Sequence, residues 1–219
     1  MTLYVSLIVE GHSEAGGAAG RLLHRIWGEL LGATVMLRVL PPSRCKRDSF
    51  LNTEHPEFAA KIEEAVLKLG QQLHRDPHGC GMLLVLLDAE ADCPATLGPA
   101  LLAAARGVRS DVDIACVFAK QMFENWIVAG ASALEGIHDL PKPLPPRPTP
   151  ENLSGAGWLD GHLRRQNRAR KYKKTVDAEV FVRAMALQEC RDTAPSFDKL
   201  CRELEARLPP PQAGAEPLG

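Results

Sequence analysis

Residues 82–87 read Met-Leu-Leu-Val-Leu-Leu, an unbroken aliphatic run that gives way at once to carboxylates at every second position, Asp88, Glu90 and Asp92. A strand with one wet face alternates apolar and polar side chains. A short run that is apolar throughout is buried on both faces, as in the central strand of a parallel sheet covered by helices on either side. Its abrupt end at acidic residues implies that the carboxyl end of this strand opens into a site. Side chains two apart lie on one side of an extended chain, so Asp88 and Glu90 are expected to share a space, with Asp92 on the loop that follows.

The rest of the chain supplies the partners such a strand needs. Residues 3–9 and 35–40 are apolar or β-branched enough to read as strands, as are residues 112–118. Between them, residues 14–31 place Leu22, Leu23, Ile26, Trp27, Leu30 and Leu31 on one helical face. Residues 56–75 do the same with Phe58, Ile62, Ala65, Val66 and Leu69, and a further helix is expected near 96–106. Strands alternating with helices argue for an α/β fold with a mostly parallel sheet of about four strands flanked by helices. We expect this main domain to span residues 1–140. A stiff proline-rich connector follows at 141–150, then a basic helical segment at 151–207 with helices near 177–188 and 196–207, packed on the main domain as a small appendage. A Pro/Gly/Ala-rich tail, 208–219, is expected to be disordered.

The six cysteines are scattered without a CxxC pair, which fits reduced thiols better than a disulfide framework or a zinc site. No apolar run reaches membrane-spanning length, and the start of the sequence lacks a basic leader with a cleavage site, so a cytoplasmic location without membrane association is expected. A formal net charge of -1 gives no long-range attraction to phosphate. Any contact with nucleic acid must therefore come from local basic patches.

Strand ends in a parallel sheet gather distant residues into one place. Glu10 closes the first strand, Glu14 follows near the start of the first helix, and Glu124 comes just after the fourth strand. Clustered carboxylates repel unless a cation neutralises them, and oxygen ligands of this kind suit Mg²⁺ or Mn²⁺. Glu10, Glu14, Asp88, Glu90 and Asp92 are thus the candidate metal ligands, Glu10 also a candidate for proton transfer, and Glu124 a further candidate member of the site. Glu14 has a simpler role open to it, favouring a helix N-terminus, and so has Glu124.

A basic run, 164–174, holds seven cations in eleven residues: Arg164, Arg165, Arg168, Arg170, Lys171, Lys173 and Lys174. Such runs are commonly solvated surface. With Tyr172 interleaved, the residues Arg164, Arg165, Arg168, Arg170, Lys171 and Tyr172 are also candidates for contact with the phosphates and bases of DNA or RNA, tRNA included. Lys173 or Lys174, brought to the acidic site, would offset charge developing on a phosphoryl group.

Glu10-Gly11 resembles the first motif, and Asp88-Ala-Glu90 the paired-acid motif, of Toprim domains, the metal-dependent fold of topoisomerases, bacterial primases and overcoming-lysogenization-defect nucleases. Here Glu90 stands where an Asp is usual, and His12-Ser13 where Pro-Thr is more typical. Five segments in order, Val9-Glu-Gly-His-Ser-Glu14, Leu87-Asp-Ala-Glu-Ala-Asp-Cys-Pro94, Phe123-Glu-Asn-Trp126, Lys171-Tyr-Lys-Lys-Thr-Val-Asp177 and Pro195-Ser-Phe-Asp-Lys-Leu200, are similar to the bacterial domain-of-unknown-function family 4276. The resemblance implies a Toprim-like fold, a Mg²⁺-dependent nuclease and often a neighbouring ATPase in bacterial anti-phage defence. It leaves room for a non-catalytic recognition subunit of an ATPase-containing complex. A nucleotidyl-transfer enzyme is disfavoured by the lack of a GxxxxGK[ST] loop.

Overall fold

The structure, a computed structural model, describes residues 1–10, 17–147 and 149–209. The expected segment around Gly11, His12, Ser13 and Glu14 and most of the expected tail lie outside the described residues. Four strands form where the apolar runs predict them: β1 (Thr2–Val9), β2 (Met36–Val39), β4 (Cys80–Asp88) and β5 (Asp113–Ala119). A two-residue strand, β3 (Ser43–Arg44), adds to the edge of β1. Every pairing is parallel, and the order is β2-β1-β4-β5.

Helices cover both faces, as the unalternating strand requires. One face, carrying Ile8, Leu83, Val85, Leu87, Ile114, Cys116 and Phe118, packs on α2 (Arg47–Leu51), α3 (Pro56–Arg75) and α4 (Pro94–Val108). α3 starts at Pro56 behind a His55 cap that accepts the Glu57 N–H at 3.2 Å, and buries Phe58, Ile62, Ala65, Val66 and Leu69. The other face, carrying Val5, Leu7, Val9, Met82, Leu84, Leu86 and Val117, packs on α1 (Ala19–Arg25), its π-helical extension Ile26–Leu30, and the C-terminal helices. These are α5 (Glu124–Ala129), α6 (Gly155–Gln166), α7 (Lys174–Ala184), α8 (Leu187–Thr193) and α9 (Pro195–Glu205). Phe181, Phe197, Leu200 and Leu204 are completely buried, so this C-terminal region helps to build the core of that face.

The proline-rich stretch is held by its one arginine. The Arg147 guanidinium pairs with Glu189 at 2.5 Å and donates to the Ala129 carbonyl. Among the described residues no helix is long and apolar enough to cross a membrane.

The topology itself marks a place for a ligand. From β1 the chain moves outward to β2; from β4 it moves outward the other way to β5. The crevice between the carboxyl ends of β1 and β4 is therefore the switch point, where open α/β sheets take their ligands. Glu10 and Asp88 stand at those two ends.

Candidate functional site at the switch point

Glu10 and Asp88 line one small cavity together with Leu86, Leu87, Ala119 and Phe123. Asp88 is fixed from two directions: Oδ1 accepts the Phe123 N–H at 2.7 Å, and Oδ2 lies 3.8 Å from Lys174 Nζ. The same ammonium lies 3.4 Å from Glu124 Oε2, and Tyr172 donates its hydroxyl proton to Glu124 Oε1 at 3.1 Å. Glu124 is fully buried, and its ionic and hydrogen-bonding neighbours meet the need that a buried carboxylate creates. Of the two lysines singled out, Lys174 is the one that reaches the acidic site. Lys173 is exposed, its backbone N–H bonded to Asp177 at 2.6 Å.

Glu90 and Asp92 go elsewhere. The Ala89 N–H donates to the Ala119 carbonyl and the Glu90 N–H to the Gln121 carbonyl, and the backbone turns at Glu90 with φ of +51°. This turn ends the strict alternation of the strand. Asp88 faces the inner cavity, whereas Glu90 lines a separate cleft of about 390 Å³ with Glu10 and residues 44–49. Arg47, only 8% exposed, pins the turn: it donates to the Asp88 and Ala89 carbonyls, binds Asp92 at 2.5 Å and lies 3.6 Å from Glu90. Burial alone would lower the affinity of this guanidinium for its proton, but the bond to Asp92 and the charges of Glu90, Asp92 and Asp48 outweigh it and raise it. The expectation that Asp88 and Glu90 share one space is thereby corrected. The left-handed turn at Glu90 separates them.

Among the described residues no group of three or more His, Cys, Asp or Glu side chains gathers as a metal site. Glu14 lies outside those residues. Glu10 and Asp88, which line one cavity, are the two carboxylates there that could hold Mg²⁺, an ion commonly held by one or two carboxylates with water and substrate phosphate completing its shell. Lys174 already places a positive charge against Asp88 and Glu124.

The basic run is drawn partly inward. Arg164 pairs with Asp160 at 2.6 Å. Arg170 holds the buried Asp177 through bonds of 2.7 and 3.1 Å, and His138 Nε2 lies 2.9 Å from the same carboxylate. Burial alone would raise the Asp177 pKa; the bonds from Arg170, the Lys173 backbone and His138 overcome it and hold the carboxyl below its ordinary range. Tyr172 faces Glu124, its ring stacked on Phe181. Arg164, Arg165, Arg168, Lys171 and Lys173 remain exposed.

The segment Phe123-Glu-Asn-Trp126 ties these motifs together. Phe123 binds Asp88 through its N–H, and Glu124 faces Tyr172 and Lys174. Asn125 donates to the Lys120 carbonyl at 3.1 Å and accepts the Gly155 N–H at 2.8 Å. Trp126 Nε1–H donates to Ser196 Oγ at 2.8 Å. Asn125, Asp177 and Ser196 escape the sequence reading as buried anchors. Their one signal is that each falls inside one of the five segments that resemble the family.

A separate cavity of about 610 Å³ lies between α4, the β5 edge and α9, lined largely by apolar atoms of Pro94, Pro99, Leu102, Val117 and Phe118.

Comparison with known families matches residues 9–205 to the model of a domain of unknown function, DUF4276. The match spans most of the chain, and the protein belongs to this family. No curated protein and no solved structure matches it with significance.

Proposed function

We propose that this protein is a Toprim-type nuclease that cleaves phosphodiester bonds with the help of Mg²⁺ or Mn²⁺, acting in bacterial anti-phage defence. The observation that carries this reading is the convergence of Glu10, Asp88 and Lys174 at the switch point of a parallel sheet. Glu10 and Asp88 would hold the cation, with Glu14, four residues after Glu10, a further candidate ligand. A bound divalent ion supplies Lewis acidity toward a phosphoryl oxygen and lowers the pKa of an attacking water.

The chain's own groups do the rest. The Phe123 amide orients Asp88, so that its second oxygen faces Lys174. Tyr172 and Glu124 fix the Lys174 ammonium, which is then placed to offset negative charge as it builds on the phosphate. Nucleic acid is the substrate class; an ATPase partner is implied by the family resemblance.

A second reading, a non-catalytic partner subunit that keeps the fold, draws support from the lack of a three-ligand group among the described residues. Titration with Mn²⁺ followed by electron paramagnetic resonance separates the two. The nuclease reading expects stoichiometric binding that is lost in Glu10→Gln and Asp88→Asn; equal, weak binding by all three proteins would sink it.

A further inference from the structure

Two exposed cations stand on the wall of the cleft outside Glu10, and the reason lies in four residues. Along 43–46, Ser43 and Cys45 are buried while Arg44 and Lys46 are exposed, the period-two alternation of an extended chain. The inward pair is clamped. Ser43 donates its hydroxyl proton to Glu64 at 2.8 Å and accepts from Lys68 at 2.8 Å, and the Cys45 thiol sits 3.7 Å from the Val9 carbonyl. The register Ile8↔Ser43 and Val9↔Arg44 continues through the Cys45 N–H to the Val9 carbonyl at 3.0 Å, so the segment runs beside β1 up to the residue before Glu10.

Arg44 and Lys46 are consequently held on the wall of the same cleft as Glu10, about 6.6 Å apart along the strand. The cleft also contains Arg47, Asp48 and Glu90. Arg47 lies 3.3 Å from Asp48 and 3.6 Å from Glu90, so these three largely answer one another. Among the described residues no carboxylate lies within ion-pair distance of Arg44 or Lys46, whereas Arg164 and Arg170 of the basic run are both taken up by aspartates.

We propose that this cleft is a backbone-phosphate subsite for a polynucleotide strand, in which Arg44 and Lys46 contact neighbouring phosphates and deliver the strand to Glu10. The choice of a polynucleotide rests on the nuclease reading; the anion subsite rests on the geometry. A strand lying here would pass along the tops of β3 and β1 toward Asp88, in the direction the sheet order provides.

The test is fluorescence anisotropy of a labelled single-stranded 12-mer in EDTA, where no metal-dependent cleavage intervenes. Arg44→Ala/Lys46→Ala should weaken binding about tenfold at low salt and flatten the dependence of log K on log salt by about 1.4, as expected for two lost phosphate contacts. Arg75→Ala/Arg106→Ala, exposed in the last turns of α3 and α4, which lead into the amino ends of β4 and β5, should bind as wild type. Unchanged affinity and slope in the first variant, or the full loss in the second alone, would overturn the proposal. So would competition by a 5′-mononucleotide as effective as that by the oligonucleotide, which would make the cleft a pocket for small phosphates. Both side chains in the first variant are exposed, and an unaltered Tm certifies its fold. Binding lost in that variant while the wild type fails to cleave with Mg²⁺ would uphold the subsite and remove the nuclease reading; cleavage by wild type with unaltered binding by the variant would do the reverse.

Discussion

Two alanines placed six residues apart on one helix should act in opposite directions. A Cβ at Gly155, the first residue of α6, would fall 2.6 Å from Asn125 Oδ1, 2.6 Å from the Glu124 carbonyl carbon and 2.7 Å from the Asn125 nitrogen. Two of these three are backbone atoms of α5 and cannot rotate away, so α6 must retreat by about 1 Å to recover normal contact. Overpacking of this kind costs about 1–3 kcal/mol, and losing the 2.8 Å bond from the Gly155 N–H to Asn125 adds about 1 kcal/mol. Gly161 on the same helix is exposed, and a Cβ there meets nothing within 4 Å. Replacing it removes the entropic penalty of a mid-helix glycine, about 1 kcal/mol. At roughly 2–4 °C per kcal/mol for a chain of this size, Gly155→Ala should lower the Tm by about 5–15 °C and Gly161→Ala should raise it by about 2–4 °C. Scanning calorimetry of the two variants beside wild type reads both. A Gly155→Ala protein as stable as wild type would refute the claim that close α5–α6 contact anchors the segment from which Phe123 and Glu124 reach the site.

Other consequences can be checked with equal directness. Asp177→Ala leaves Arg170 and His138 without their buried carboxylate and should cost about 3–5 kcal/mol, a fall in Tm on the order of 10 °C. Because the folded Asp177 carboxyl lies below its ordinary range, its contribution is complete above the unfolded pKa of about 4 and is lost as pH falls through the folded value. Asp177→Asn should therefore lose less Tm than wild type as the pH is lowered below about 4, and parallel curves would contradict this. Thiol counting on the native protein should find Cys80 and Cys93 reactive. Cys45 and Cys116, pushed up by burial to about 12, should stay inert, together with the buried Cys190 and Cys201; rapid reaction of Cys45 would mean that the wall beside Glu10 is open. Lys174→Met should reduce turnover by about 10²–10³ with little change in KM, since its charge acts on the transition state; an effect on KM alone would make it a binding residue.

The fold was legible because its strands are continuous apolar runs and its principal helices carry clean 3.6-residue faces. Residues 82–88 require cover on both sides, and the structure provides it. β3 and α2 escape sequence reading because a two-residue pairing and a five-residue helix leave no periodic signal, although they build the wall of the cleft. Glu10 and Asp88 were readable from their positions at strand ends. The different direction of Glu90 was not, since it depends on a left-handed turn fixed by a bridge to Gln121, some thirty residues away. Within the basic run, the pairing of Arg164 with Asp160 one turn back on α6 is a spacing the sequence displays, whereas nothing local tells that Glu124 will meet Tyr172 and Lys174 or that Arg170 will share Asp177 with His138.

The proposed activity is metal-dependent phosphodiester cleavage at Glu10 and Asp88. Its most direct test is incubation of the purified protein with labelled single- and double-stranded DNA and with tRNA, in Mg²⁺, Mn²⁺ or EDTA, beside Asp88→Asn, which keeps an acceptor for the Phe123 amide. The account predicts cleavage of at least one polymer with metal, none in EDTA, and a loss of at least 10³-fold in the variant. Cleavage that survives EDTA or the substitution, or no cleavage by wild type under any metal, would contradict it.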